Sequence, residues 1–135
     1  MKELSIVAIG RRGERIAARY LKRQGYHILG KNLHFGKNEL DLVAKEKEYL
    51  VFVEVKTRTF KQQNEAELCR PAAAVDAAKR MHTVQAAHAY LAAHHTSLCP
   101  RFDVVEIYLD ATKRYRAFKI NHITDAFTAS GKLRR

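Results

Sequence analysis

The stretch Asn38 to Lys56, NELDLVAKEKEYLVFVEVK, sets acidic residues inside two runs that otherwise have the composition of buried strands. Side chains alternate along a strand. In the first run Glu39, Asp41 and Val43 therefore share one side, with Leu40, Leu42 and Ala44 on the other. In the second, Phe52, Glu54 and Lys56 point one way while Tyr49, Val51, Val53 and Val55 point the other. The charged link Lys45-Glu46-Lys47-Glu48 is too short for a crossover, so the runs are expected to form a β-hairpin with a loop of about two to four residues. Any register that sets Asp41 opposite Phe52 or Glu54 brings Asp41 and Glu54 to one face, with Cβ atoms roughly 5–8 Å apart. Like charges on a half-buried face repel, and a hard divalent cation with oxygen ligands at about 2.0–2.1 Å removes that cost. The competing reading is a solvated strand face on which Glu54, Lys56 and their neighbours form an ion pair. The hairpin alone leaves the two readings level.

The chain has 135 residues, enough for a single domain (1–135) with its own core. Its 25 Lys and Arg against 14 Asp and Glu give a net charge of +11. Solubility does not require such an excess, which points to a polyanionic partner, nucleic acid before membrane. A generically basic cytosolic protein is the alternative. Cys69 and Cys99 lie far apart with no CxxC partner, so neither a zinc ribbon nor a disulfide framework is indicated, and reduced thiols in a cytoplasmic protein are expected. The apolar run Leu4 to Ile9 ends at Gly10-Arg11-Arg12, too short for a signal sequence or a membrane span. Internal repeats and low-complexity tracts are absent.

A first helix is expected over Arg12 to Gln24, ended by Gly25. At 100° per residue Arg12, Arg15, Arg19, Lys22 and Arg23 share one sector, while Ala17, Ala18 and Leu21 fall opposite. The cationic sector is either a phosphate-contacting surface or a solvated face. Glu14 lies on the small-residue stripe, where a carboxylate must be paired, hydrogen-bonded or metal-linked; alternatively it simply occupies the first turn, where the helix dipole favours an anion. Tyr26 to Phe35 reads as a strand with a bulge at Gly30, ended by Gly36.

Thr57 to Arg70 reads as a mobile loop beside the hairpin. After Pro71 a helix is expected from about Ala74 to His94, with Val75, Ala78, Met81 or His82, Val84 or Gln85, and Leu91 at core spacing. Lys79, near its start, is expected to be solvent-exposed unless the fold carries this helix end to the carboxylates. The steps from His82 to His88 and from His88 to His94 put successive rings on different faces, which excludes a helical zinc site; His94 and His95 suit the helix C-terminus. Arg101 to Leu109 reads as a strand parallel to the second hairpin strand, because a helix separates the two. Within it Asp103 caps the strand or pairs with Arg101. Asp110 to Arg114 forms a turn, Tyr115 to Asn121 an edge strand, and Ile123 to Phe127 a short helical turn, with 128–135 a flexible basic tail.

The resulting order, αβββαββ, resembles the restriction-endonuclease-like fold, an α/β class with a mixed central sheet flanked by helices. Its PD-(D/E)xK motif matches Asp41 followed by Glu54-Val55-Lys56. A wider set of residues, Gly13-Glu14 opening a helix, Glu39-Leu40-Asp41-Leu42, Phe52-Val53-Glu54-Val55-Lys56-Thr57-Arg58, Lys79, and Arg101-Phe102-Asp103-Val104-Val105, resembles the bacterial YraN-like family of functionally uncharacterised proteins. That family is itself similar to archaeal Holliday-junction resolvases. The resemblance covers a core of about 10–127. It departs at Leu40, where the motif name has proline, at Asn38, where glycine is expected, and at Phe60-Lys61, where Phe-Gly is expected.

The resemblance implies that Asp41 and Glu54 bind Mg²⁺ or Mn²⁺, with the Val55 backbone carbonyl as a further ligand. It implies that Lys56 orients or helps deprotonate the attacking water, and that Glu14 takes an accessory acidic place. Glu39, Arg58 and Lys79 are accessory positions, and Arg12, Arg15, Arg19, Lys22 and Arg23 the nucleic-acid-binding ones. The implied activity is metal-dependent endonucleolytic cleavage of DNA, branched or damaged structures included, in repair or recombination, and it allows a homodimer. The alternative is a non-catalytic nucleic-acid-binding protein with a retained nuclease fold; a third reading is an adaptor for an acidic protein.

Overall fold

A computed structural model describes residues 3–68 and 77–134. Helix α1 (Ile6–Arg23) leads into strands β1 (His27–Phe35), β2 (Asn38–Glu46) and β3 (Tyr49–Phe60), then a short 3-10 helix, Gln63–Leu68. Helix α2 (Ala77–Ala93) and strands β4 (Cys99–Asp110) and β5 (Arg116–Phe127) complete the order αβββαββ. The five strands form one mixed sheet in sequence order, antiparallel except where β3 and β4 run parallel. A parallel pair needs a long crossover, and α2 supplies it.

The helices cover opposite faces of the sheet. Ala17, Ala18 and Leu21 of α1 pack with Leu42, Ala44, Val51, Val53, Val105 and Ile107. Val84, Ala87 and Tyr90 of α2 pack with Val43, Leu50, Phe52 and Val104. Strand β3 lies in the middle, so Leu50-Val51-Phe52-Val53 is buried on both faces and reads as an unbroken apolar run. Glu54 interrupts that run and is itself only 6 % exposed.

The β2–β3 hairpin turns at Lys47 and Glu48, within the expected loop length, and pairs from Glu46↔Tyr49 to Leu42↔Val53. Beyond Leu42 the two strands part, and the strict alternation expected for β2 fails. Leu40 packs with Val43 in the α2-side core instead of with Leu42 and Ala44. From there β2 is held by β1 alone, through Leu33↔Leu40 and His34↔Glu39, so its end is free to twist. Strand β1 is irregular at the same level, where Asn32 adopts a left-handed conformation (φ 50°) that Asn tolerates better than most residues.

Several expectations are corrected. Helix α1 begins at Ile6, not Arg12, because Ser5 caps it by accepting the Ala8 amide at 3.1 Å, and Gly10 is absorbed within the helix. Thr57–Phe60 continues β3 through its pairing with β4, so the stretch taken for a loop begins as strand and then forms the 3-10 helix Gln63–Leu68. Ile123 to Phe127 is strand and not a helical turn, since Phe127 pairs with Phe102 and Asp125, at φ 54°, gives its amide to Asp103. Ala78 and Met81 are exposed and Thr83, Val84, Ala86 and Ala87 form the buried face, because an alanine-rich helix has no strong apolar stripe to set its rotation. The tail folds back instead of fraying: Arg134 donates its amide to Ala126 and pairs with Asp125 at 2.8 Å, and Arg80 reaches the Gly131 carbonyl at 2.7 Å. Cys69, Arg70, Pro71, Ala74, Val75 and Arg135 lie outside the described residues.

Asp103 pairs with Arg101, as one of the two sequence readings had it. The pair is bidentate at 2.9 Å and buried, and Asp103 also takes His122 Nε2 at 2.8 Å. Arg101 further donates to Tyr26 and Glu46. With its lone pairs occupied the Asp103 carboxyl is held below its usual range despite burial. This network ties the start of β4 to β5 and the end of α1.

Candidate functional site

Where β2 and β3 part, the sheet, both helices and the bent β1 together form an open cleft of about 660 Å³. Glu14, Glu39, Asp41, Glu54, Lys56 and Lys79 all line it. Each arrives by a local cause. Asp41 stands at the first position past the paired ladder, and its Oδ2 accepts the Val55 amide at 2.9 Å. Glu54 follows the buried run of β3 on the side that faces α2, where Thr83 donates to its Oε2 at 3.3 Å and Lys79 Nζ lies 3.4 Å from its Oε1.

Glu14 reaches the cleft because α1 sits unusually close to β3. A Cβ built on Gly13 would lie only 1.8 Å from Thr57 Oγ1, so a residue with any side chain there would push the helix away. Asn32 then holds Glu14: with its amide nitrogen turned toward the carboxylate, it donates to the two oxygens at 2.8 and 3.2 Å.

Glu14, Glu39 and Asp41 each present a carboxylate oxygen, and the three oxygens lie within 4.8 Å of one another. The sequence reading paired Asp41 with Glu54 as ligands. In the structure the oxygens of Glu14 and Glu39 gather with that of Asp41, while Glu54, engaged by Lys79 and Thr83, stays within hydrogen-bonding reach of Asp41. Lys79 thus stands at the carboxylates, its side chain 44 % exposed, which is the condition under which it was expected to matter. Val55 lines the cleft, as does Lys56, which makes no hydrogen bond or ion pair among the described residues. Arg58 is elsewhere: its Nε lies 3.3 Å from Glu106, fully buried on the same strand face.

The crowding of carboxylates shows in their titration. Burial, and after it the charges of Asp41 and Glu39, push Glu14 up to about 7. Burial and then Asp41 push Glu54 up to about 8, against the opposing pull of Lys79. Asp41 is raised by burial, with the Val55 amide opposing. For Lys79, burial lowers the amine but the charges of Glu54 and Asp41 outweigh it, so it stays protonated. Such a site holds more negative charge than its surroundings can solvate. The three clustered donors are hard oxygens, the set that suits Mg²⁺ or Mn²⁺, and the His34 ring, its Nδ1 4.0 Å from Glu39, also lines the cleft.

On the helix between this cleft and solvent, Arg15, Arg19, Lys22 and Arg23 are exposed and Arg12 is half-buried, its Nε donating to the Tyr115 carbonyl at 2.8 Å. No helix among the described residues is long and apolar enough to cross a membrane. Sequence reasoning missed Asn32, Thr83 and the role of Gly13. A left-handed asparagine two residues past a glycine bulge is a weak signal for the first. The other two depend on contacts between elements distant in the chain.

The chain matches the model of the uncharacterised protein family UPF0102 over residues 13–107, a stretch that holds every carboxylate of the cleft. Among its relatives is a UPF0102 protein of Caldanaerobacter subterraneus subsp. tengcongensis, 41% identical over 128 residues that cover 94% of this chain and 100% of the relative. A UPF0102 protein of Chlorobium phaeobacteroides is 37% identical over 124 residues, 90% of this chain and 94% of the relative. One of Porphyromonas gingivalis is 42% identical over 118 residues, 87% of this chain and 82% of the relative.

Proposed function

The chain belongs to the UPF0102 family, and from that premise we propose that it is a Mg²⁺- or Mn²⁺-dependent endonuclease acting on DNA, branched or damaged structures included. The observation that carries this reading is the convergence of Glu14, Glu39 and Asp41 within 4.8 Å, beside Glu54 and an uncommitted lysine. The strand order and the pattern Asp41 then Glu54-Val55-Lys56 support a restriction-endonuclease-like fold.

Glu14, Glu39 and Asp41 would hold the cation, with the buried Glu54 beside Asp41 and the Val55 carbonyl in the same cleft. When bound, the metal supplies Lewis-acid stabilisation of a phosphoryl oxygen and a more acidic water. The chain's own residues do the rest. Lys56 offers its amine to the scissile phosphate and can take up or orient a water proton. Lys79 and Thr83 fix the Glu54 carboxylate, Asn32 fixes that of Glu14, and the Val55 amide fixes that of Asp41. Arg15, Arg19, Lys22 and Arg23 hold the polyanion against the helix. A homodimer would offer two such clefts to two strands.

The test is cleavage of duplex, flap and four-way-junction DNA with Mg²⁺ or Mn²⁺. Parent protein cuts at least one of them, and Glu54→Ala and Lys56→Ala lose that activity. No cutting by the parent, or equal cutting by both variants, overturns the reading. A second reading, a nucleic-acid-binding protein that does not cut, draws on the state of Glu54, which is already neutralised by Lys79. It predicts binding that survives Glu54→Ala with no cleavage at all.

A further inference from the structure

On the far flank of α1 from the carboxylate cleft lies a second open pocket, about 510 Å³, lined by Arg12, Thr112, Lys113, Arg114 and Arg116. Two of its four cations, Lys113 and Arg114, belong to the turn between β4 and β5, and Arg116 opens β5, a stretch with no part in the cleft. Among the described residues no carboxylate lines it, and none of the four cations makes an ion pair. Asp110, the nearest acid in sequence, is engaged by Thr112 and by Gln63 Nε2 at 2.9 Å.

The turn is built rather than loose. Arg114 and Tyr115 both adopt left-handed backbone, φ 55° and 57°, a conformation that residues with bulky side chains avoid. It is held there by the Tyr115 and Lys113 amides bonding the Asp110 carbonyl, by the burial of Tyr115 against the α1-side core, and by Arg12 on the Tyr115 carbonyl. The consequence is that Lys113, Arg114 and Arg116 are exposed on a fixed scaffold beside Arg12. Asp110, whose carboxyl is held below its ordinary range first by Thr112 and also by the charge of Lys113, is the one acid near them among the described residues, and four cations held together beside a single carboxylate repel one another unless an anion sits among them.

We propose that this pocket binds a backbone phosphate of a nucleic-acid strand that has another of its phosphates at the carboxylate cleft, so that the strand is gripped on both flanks of α1. Arg12 stands two positions before Glu14, which places it about 200° around the helix and about 3 Å along it. With side chains a helix is about 10–12 Å across, a span of about three nucleotides at 3.4 Å of rise per strand. The cleft holds the reacting phosphate and the turn holds one a few nucleotides away, which sets where along the strand the reaction falls. This rests on the nucleic-acid part of the reading above, and it stands whether or not the protein cuts.

The experiment is fluorescence anisotropy of a labelled DNA duplex, and of a labelled four-way junction, with the full chain in EDTA over a range of salt concentrations. Arg114→Ala with Arg116→Ala is compared with Lys45→Ala with Lys47→Ala. The second pair removes the same charge from exposed positions at the other end of the sheet. The first pair should flatten the slope of log affinity against log salt by about 1, since the pocket holds one phosphate and each phosphate contact contributes about 0.9. It should also weaken binding on the order of tenfold near physiological salt, with the control within about twofold of the parent. Equal effects of the two pairs overturn the proposal, as does a parent that binds neither DNA. Binding by the parent without cleavage in metal overturns the endonuclease reading alone.

Discussion

The Asp41 carboxylate stands in for a missing strand partner of Val55: its Oδ2 accepts the Val55 amide at 2.9 Å at the point where β2 and β3 separate. One side chain thus closes the sheet's hydrogen bonding and lies within a group of three carboxylates. The two roles separate by substitution. Asp41→Asn keeps an oxygen acceptor for Val55 and should fold with near-parental stability. Asp41→Ala leaves a largely buried amide unpaired and should cost about 1–3 kcal/mol. Calorimetric titration with Mn²⁺ should lose binding in both. Parental Mn²⁺ affinity in Asp41→Asn would remove Asp41 from the metal site.

Gly13 sets how closely α1 approaches β3. A methyl group there meets Thr57 Oγ1, Cβ and Cγ2 at once, at 1.8, 2.8 and 2.9 Å. Gly13→Ala should therefore destabilise by about 1–3 kcal/mol, the usual range for overpacking, and should swing Glu14 out of the cleft. Thr57→Ala removes two of the three clashing atoms, so the double variant should recover part of the loss, a non-additivity that urea melts would read directly. Additive losses would mean that the helix does not rest on Thr57.

The hairpin was legible because two short-range rules decide it: side chains alternate, and a four-residue charged link cannot cross over. Glu14 was legible for the same kind of reason, since it falls three and four residues before Ala17 and Ala18 on the buried face. What the residues could not reveal was where alternation stops. Leu40 changes faces because β2 loses one neighbour at Asp41, and that depends on Asn32 bending β1, a long-range event. The same limit explains Glu54. Its presence at the cleft followed from parity, but its engagement by Lys79 and Thr83 required knowing which end of α2 lies over β3. The Ile123–Phe127 segment became strand because Phe102 and Asp103 bind it, against a local pattern that suits a turn.

Stability of the metal-free protein should fall as pH rises through neutrality. Glu14 is pushed up to about 7 and Glu54 to about 8 from an ordinary 4.5, first by burial and next by Asp41. Between those limits the folded chain binds more protons than the unfolded chain. Stability therefore declines with pH across that window and is fully present only below its lower end. In EDTA the melting temperature should drop from about pH 5 to about pH 8, and Glu54→Gln should flatten the drop. Added Mg²⁺ or Mn²⁺ should stabilise more at the higher pH, because ligands must be deprotonated to bind. A melting temperature that rises over this interval in EDTA would contradict the assigned crowding.

Lys56 and Lys79 border the same carboxylates but differ in what they hold. Lys79 lies 3.4 Å from Glu54, whereas Lys56 has no bonded partner among the described residues. An amine already engaged by a carboxylate is a poor candidate to meet a phosphate, so the chemical step should depend on Lys56. Lys56→Met should lower the rate of cleavage at saturating DNA by about 10²–10³, the usual effect of removing one preorganised charge from a reacting centre. Its melting temperature and Mn²⁺ affinity should stay near parental values. Lys79→Met should act in the opposite order. Removing a charge that lowers the Glu54 pKa should raise that pKa further and shift the pH dependence of stability upward, with a smaller effect on the rate at alkaline pH, where Glu54 is ionised regardless. If Lys79→Met slows cleavage as much as Lys56→Met at every pH, the two amines have been assigned the wrong roles.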